Sequence, residues 1–381
     1  MIELEGKYNR AKIFCEELEE TARQQIITFL NHPAFAGGDI RIMPDVHAGA
    51  GAVIGFTSPM GEKVIPNVIG VDIGCGVTAW NTGAREIDFA KLDRFIRQNI
   101  PSGRDVRKSE YSELENIYKS MQTETVFGGF SSHVEKICAE QKQDSARVMR
   151  SIGSLGGGNH FIEIDEAGKT KWLVVHSGSR NFGLKIALHH QHLALNKVGD
   201  MKGLEYLEGS AADAYKSDMK TAQIYAALNR AVMGNLILNE FFGFQNVSGI
   251  EKIESVHNYI NFKDGIIRKG AISAHKDEEI IIPFNMLDGC ILGRGKGNPD
   301  WNYSAPHGAG RRMSRTAAKK NLNLNEFKAA MKGIWTSSVS ARTIDEAPQV
   351  YKDTADVIEL LEPSVEIQEK LTPVYNFKAA E

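Results

Sequence analysis

Gly70-Val71-Asp72-Ile73-Gly74-Cys75-Gly76 puts a carboxylate and a thiol three residues apart in backbone punctuated by glycine. Pro66 and the apolar pair Val68-Ile69 lead in, and Val77-Thr78-Ala79-Trp80 leads out with the composition of a strand. Glycines at 70, 74 and 76 permit positive φ and let other backbone or a ligand come close. A thiolate kept deprotonated by a metal suits such a place. So does a buried structural cysteine beside a turn aspartate. Histidines farther along the chain, each in a similar strand-and-glycine setting, favour the first reading.

The chain has 381 residues, enough to bury a large core, with 24% charged and 42% hydrophobic residues as in ordinary globular proteins. A net charge of −3 excludes a generally basic nucleic-acid coat, so a polyanion must be met by a local basic patch. Cys15, Cys75, Cys138 and Cys290 form no CxxC pair, against both a disulfide framework and a zinc ribbon. The opening residues are charged from Glu3 and do not read as a signal peptide. No apolar run reaches the roughly 20 residues needed to cross a bilayer. A reducing cytoplasm is the expected compartment.

Residues 11–31 read as one amphipathic helix, with Phe14, Leu18, Ala22, Ile26 and Leu30 at spacings of four. Ile40 to Gly51 reads as a short strand opening into a glycine-spaced loop. Asp45 and His47, two apart, point to one face if the chain is extended. Residues 88–125 suggest surface helices, Gly128-Gly129 a turn, and 132–150 another helix. The glycine run before His160 opens into the alternating segment His160, Ile162, Ile164. It is no P-loop, since no Gly-Lys-Ser/Thr follows, and no dinucleotide turn, since a strand follows instead of a helix. A second strand, Trp172 to His176, ends in Ser177-Gly178-Ser179-Arg180, close enough in sequence for neighbouring strands to present both histidines together. A long helix is expected over 211–241, a third strand-like histidine context at Glu254 to Tyr259, and a helix over 322–337. No repeat, low-complexity segment or linker interrupts the chain, which reads as one domain, 1–381.

Asp72, Cys75, His160, His176 and His257 are too mixed for an oxygen-seeking magnesium or calcium site and suit Mn, Fe, Co or Zn. Five donors exceed one structural zinc, and a bridging thiolate would let them hold two ions, an arrangement that activates a nucleophile and clamps phosphate. His307 differs. Gly308, Ala309 and Gly310 leave room beside it, and Arg311, Arg312 and Arg315 add positive charge. That fits a nucleophile taking a phosphoryl or nucleotidyl group. It also fits a loop histidine next to a solvated basic run.

Met43-Pro44-Asp45-Val46-His47, the Gly70–Gly76 stretch, Gly158-Asn159-His160-Phe161, His176-Ser177-Gly178-Ser179-Arg180, His257-Asn258, His307-Gly308-Ala309-Gly310-Arg311 and Asp345-Glu346-Ala347-Pro348 together resemble the RtcB-type RNA ligases over essentially the whole chain. The resemblance implies an α+β fold, a single large domain with mixed sheets around a two-metal centre and flanking helices. It implies a GTP-dependent enzyme with two Mn²⁺ that joins RNA 3′-phosphate or 2′,3′-cyclic phosphate ends to 5′-hydroxyl ends. Asp72, Cys75 and His160 would hold one Mn²⁺ and Cys75, His176 and His257 the other. His307 would carry guanylate, later passed to the RNA 3′-phosphate. Asn159 would touch phosphate, Glu163 the guanine edge, and Tyr351 and Lys378 the rest of a pocket that Phe161, Ala309 and Gly310 also line. Asp45, His47, Arg180 and Arg311 would offer contacts to RNA phosphates, and an archease-type activator is an expected partner. Two departures stand out. Pro283-Phe284-Asn285-Met286 replaces the family's Pro-Gly-Ser-Met stretch, and Gly49 to Gly55 lacks the usual aromatic and proline. A two-metal phosphoesterase would need the metals but not His307. A non-catalytic RNA-end binder would need the basic loop but not the metals.

Overall fold

A computed structural model describes residues 1–379, so the last two residues of the expected domain lie outside the described ones. Period-two apolar runs dominate its centre, and they pair into a sheet of eight strands. Seven follow in the order Glu279–Pro283, Cys290–Gly295, Val365–Lys378, Phe161–Ala167, Thr170–Ser177, Gly76–Ala84, Lys252–Val256. The eighth, Trp335–Thr336, runs parallel to the long C-terminal strand. The sheet curls until its edges meet, where Ile281 N–H donates to Ser255 Oγ at 2.9 Å. Alternation then gives the strands an inner and an outer face. Val77, Ala79, Phe161, Trp172, Val174, Ile281 and Leu371 fill the inside. Ile162, Ile164, Leu173 and Val175 face outward into the largest core, which draws residues from Ala11 to Ala379.

The long helix Ser210–Asn235, continued by a wider π turn over Leu236–Phe241, supplies much of that outer core through Tyr215, Met219, Tyr225 and Val232. A second, six-stranded sheet takes the order Ile2–Glu5, Arg10–Ile13, Ile40–His47, Ile54–Pro59, Ile266–Lys269, Asn258–Asn261. Ala271–Ser273 pairs with Ser304–Pro306 as a small ribbon between the two. With mixed sheets and helices flanking them, the fold is α+β, as expected.

Four local expectations change. Residues 11–31 are not one helix: Arg10–Ile13 is a strand, and the helix is Glu20–Leu30. Phe14 belongs to no helical stripe; its ring stacks on Trp301 at 4.1 Å, a partner far away in sequence. Gly128-Gly129 forms no turn but lies inside the helix Phe127–Glu140. Burial of Phe130, Val134, Ile137 and Cys138 there outweighs the helix penalty of about 1 kcal/mol per glycine. A break at 141–144 then separates this helix from Ser145–Arg150, which Asp144 caps by accepting from Arg147 N–H at 3.0 Å. The helix expected over 322–337 stops at Ala330, because Trp335 and Thr336 are drawn into the sheet beside Tyr375 and Asn376.

Candidate active site

Sheet register gathers the metal-capable residues. Gly76 pairs with both Ser177 and Val256, and Phe161 pairs with His176. The four strands concerned are neighbours and antiparallel. Cys75 and His160 therefore sit just before the first residue of their strands, at the same end where His176 and His257 close theirs. His257 N–H donates to the Cys75 carbonyl at 2.9 Å, which ties two of these ends directly. Of the three glycines in the 70–76 stretch, Gly70 and Gly74 take positive φ. Gly178 matters for a different reason: a Cβ there would overlap the Asp72 carboxylate.

Cys75 Sγ lies 3.4 Å from His160 Nε2 and 3.2 Å from His176 Nε2. Asp72 Oδ2 is 2.9 Å from His160 Nε2, and His176 Nε2 is 3.4 Å from His257 Nε2. Asp72, Cys75 and His160 form one group able to hold a cation, and Cys75, His176 and His257 another, with the thiol common to both. The far ring nitrogens are occupied. His160 Nδ1 donates to the Leu155 carbonyl at 2.9 Å and His176 Nδ1 to that of Asn159 at 3.2 Å. These bonds keep a proton on each Nδ1 and turn both Nε2 atoms inward, the orientation of imidazoles prepared to ligate. Burial holds His176 and His257 well below the ordinary imidazole range, so both are neutral. Burial acts against the Asp72 carboxylate too, but its bonds to His160 prevail and hold it at about 2. The donor set fits two cations sharing a thiolate.

Beside this cluster stands His307, whose ring centroid is 4.8 Å from that of His257. Its Nδ1 donates to Asp45 Oδ2 at 2.6 Å. Asp45 is fully buried, and its other oxygen has no partner among the described residues. Gly310, at φ +73°, brings the 307–311 loop against the Asp45 backbone, where a Cβ would collide. With Nδ1 committed, Nε2 of His307 is left as the free nitrogen. His307 stands at the junction of two cavities. One is lined by Asn159, Phe161, Glu163, Ala309, Gly310, Tyr351 and Lys378, all residues expected to hold the nucleotide. The other is lined by Asp72, Cys75, His47, His257, Arg312 and Arg315.

The residues expected to meet RNA phosphate do not share one location. Asp45 is turned to His307 and sealed from solvent, a place for orienting a ring and not for meeting an anion. His47 and Arg311 line both cavities. Burial pushes the His47 imidazole down to about 4, against the opposing Asp45 carbonyl and carboxylate. Arg180 lines neither cavity; its Nη1 stands 3.4 Å from His160 Nδ1 and its Nη2 donates to the Gly103 carbonyl at 3.0 Å. Phe284 is buried, and the Asn285 side chain closes a local turn by accepting from Leu287 and Asp288 N–H.

Three residues escaped the sequence reading. Glu346 is the acidic hub of the pocket: Tyr351 donates to it at 2.6 Å, and Lys378, Arg311 and Arg315 pair with it at 3.1, 3.2 and 2.9 Å. Burial would raise its carboxyl, but Lys378 and Arg315 prevail and hold it at about 2. Asn376, paired with Glu163 across the strands, donates its amide to that carboxylate. Asp165, two residues on and on the same inner face, raises Glu163 further after burial has already done so. Only Glu346 left a trace in sequence, as the second acid of the Asp345-Glu346-Ala347-Pro348 motif.

The family model described as tRNA-splicing ligase RtcB matches residues 25–379. An RNA-splicing ligase RtcB of Escherichia coli (strain K12) is 32% identical, with 92% of each chain covered. An RNA-splicing ligase RtcB1 of a second Escherichia coli strain is equally similar, at 32% over 92% of each chain. A tRNA-splicing ligase RtcB of Aeropyrum pernix is 27% identical over 84% of this chain and 83% of its own. With the match running nearly end to end and the strand-end cluster intact, the chain belongs to the RtcB family of RNA ligases.

Proposed function

We propose that this RNA ligase is GTP-dependent and joins RNA 3′-phosphate or 2′,3′-cyclic phosphate ends to 5′-hydroxyl ends through a guanylated His307, in RNA repair or tRNA splicing. The observation that carries the reading is the Asp45–His307 pair at 2.6 Å, set between the pocket lined by Glu163, Tyr351 and Lys378 and the thiol–imidazole cluster. Asp72, Cys75 and His160 would hold one Mn²⁺, and Cys75, His176 and His257 a second. When bound, such a pair supplies charge neutralisation for phosphate oxygens.

The chain's own residues do the rest. Asp45 keeps the proton on His307 Nδ1, so Nε2 attacks the α-phosphorus of GTP; the P–N bond forms and pyrophosphate leaves. Glu163 accepts from the N–H groups of the guanine edge, with Asn376 steadying the carboxylate. Lys378 and Tyr351, anchored on Glu346, wall the pocket, and Phe161 offers its face to the base. An RNA 3′-phosphate oxygen then attacks the same phosphorus, breaking the P–N bond and returning His307 to its neutral form. The 5′-hydroxyl attacks the RNA 3′-phosphorus, GMP leaves, and a phosphodiester remains. A cyclic end is first opened by water. Arg311, facing both cavities, and His47 are placed to meet phosphate. The whole chain works as one domain in this reading, with an archease-type activator as a partner.

No helix among the described residues is long and apolar enough to cross a membrane. Four free thiols support the cytoplasm as its compartment. The test is incubation with Mn²⁺ and α-labelled GTP. An acid-labile protein–GMP adduct that disappears in His307→Ala is expected. A folded wild-type protein that forms no adduct, or a His307→Ala variant that still labels, overturns the reading; a phosphoesterase would process RNA ends without labelling.

A further inference from the structure

We propose that Arg230, helped by its neighbour Asn229, is a positioning residue that sets the spacing of the thiol and imidazoles so that one thiolate can serve two cations. Both residues lie on the long helix Ser210–Asn235 and are fully buried. Arg230 Nη1 donates to the Gly74 carbonyl at 2.8 Å and the Ser177 carbonyl at 3.0 Å, on the residues next to Cys75 and His176. Its Nε and Nη2 donate to Glu254 Oε1 at 3.1 and 2.8 Å, three residues before His257. Nε also reaches Thr78 Oγ at 3.1 Å, inside the strand that Cys75 opens. Asn229 completes the set. Its Oδ1 accepts from Gly153 and Ser154 N–H at 2.7 and 3.1 Å, in the run leading to His160. Its Nδ2 donates to Ser177 Oγ at 3.1 Å and the Gly178 carbonyl at 3.0 Å.

Two consecutive side chains of one helix thus contact every segment that carries a thiol or imidazole of the cluster. Gly74 lies two residues before the strand it leads into and Ser177 is the last residue of its own, so both carbonyls sit where the regular ladder ends. A planar guanidinium fixes the distance between two acceptors in a way a lysine ammonium on a flexible stem does not. A buried ion pair is by itself a poor source of stability. Two of the acceptors here are peptide carbonyls, so the geometry points to alignment of the ligand segments. Outer contacts of this kind typically govern about 10- to 100-fold of metal affinity.

The inference rests on the two-cation reading above, and cobalt separates the two. Titrate metal-free wild type, Arg230→Lys and the control Asp93→Asn, a buried acid bonded to Arg97, Ser337 and Tyr375 away from the cluster, with Co²⁺. Follow the thiolate-to-cobalt charge-transfer absorption, with thermal unfolding of each metal-free protein alongside. Arg230→Lys is expected to fold, bind Co²⁺ about 10- to 100-fold more weakly, and show less charge-transfer absorption per cobalt bound. Asp93→Asn should unfold at lower temperature with band and affinity unchanged. Wild-type band and affinity in folded Arg230→Lys overturn the inference, whereas a wild type that binds no cobalt overturns the metal reading instead. Should Arg230→Lys not fold, Thr78→Val, which loosens the same guanidinium at Nε, must weaken the band in the same direction; an unchanged band there overturns the inference equally.

Discussion

Asp45→Asn tests the centre of the proposed chemistry with almost no change in volume. Once His307 Nε2 bonds to phosphorus while Nδ1 keeps its proton, the ring carries positive charge, and the carboxylate 2.6 Å away is its buried counter-ion. Losing a hydrogen bond to a charged partner costs about 1.5–3 kcal/mol. The Coulomb energy of unit charges about 4 Å apart, at an effective dielectric near 20, sets a ceiling of about 4 kcal/mol. The amide adds a second handicap, because its N–H groups turned to Nδ1 favour a proton on Nε2, where the attack must start. A net loss of about 2–4 kcal/mol corresponds to guanylation about 30- to 1,000-fold slower. The assay is single-turnover formation of the labelled His307 adduct with Mn²⁺ and saturating α-labelled GTP. Cation content and thermal unfolding are measured on the same samples. Cation content should not change, since Asp45 belongs to neither ligand group. A labelling rate within threefold of wild type, in a variant as stable as wild type, would refute the assignment of Asp45 and His307 as a working pair.

Cys75→Ala removes the donor common to both groups, so the folded variant is expected to lose bound metal and all guanylation; elemental analysis showing full metal content with full activity counts against a bridging thiolate. Glu163→Ala should erase a preference for GTP over ATP on the order of 10³-fold, because only guanine offers paired donors to that carboxylate; comparable labelling of the wild type by both nucleotides would sink the assignment. Glu346→Gln is expected to cost stability in a pH-dependent way. The folded carboxyl sits at about 2 against an ordinary 4.5. Its contribution, on the order of 3 kcal/mol, is therefore complete above pH 4.5 and lost as the pH falls through 2. Urea unfolding of wild type and variant at pH 7 and pH 3 checks this, and a stability difference that does not shrink at the lower pH contradicts it.

Much of the site was legible in the sequence because its donors occupy strand ends. Cys75, His160, His176 and His257 each adjoin an apolar strand and a glycine or polar turn residue, local signals that survive without any partner. The pocket proposed for the nucleotide was readable only through family resemblance. Its residues, from Asn159 to Lys378, carry no common local pattern, and sheet pairing and loop packing bring them around one cavity.

Sequence by itself determined the strands that bear the metal-capable side chains and the cramped, basic setting of His307, and through the family resemblance the α+β class. Only the tertiary structure decided which groups meet. Asp45 looked like a phosphate contact beside His47, yet the loop closure at Gly310 turns it onto His307, 262 positions away. Glu346 stood in the sequence only as the second acid of the Asp345-Glu346-Ala347-Pro348 motif, and the fold makes it the anchor of Lys378, Tyr351, Arg311 and Arg315. Phe14 fitted a helical stripe and instead stacks on Trp301, while Gly128-Gly129 looked like a turn and is held helical by the packing of its neighbours. The physical reason is common to all four. A residue's type biases its own dihedral angles over a few positions, by energies of a kcal/mol or less. Its partner across space is chosen by sheet register and core packing, whose summed energies are larger and whose geometry no short window of sequence contains.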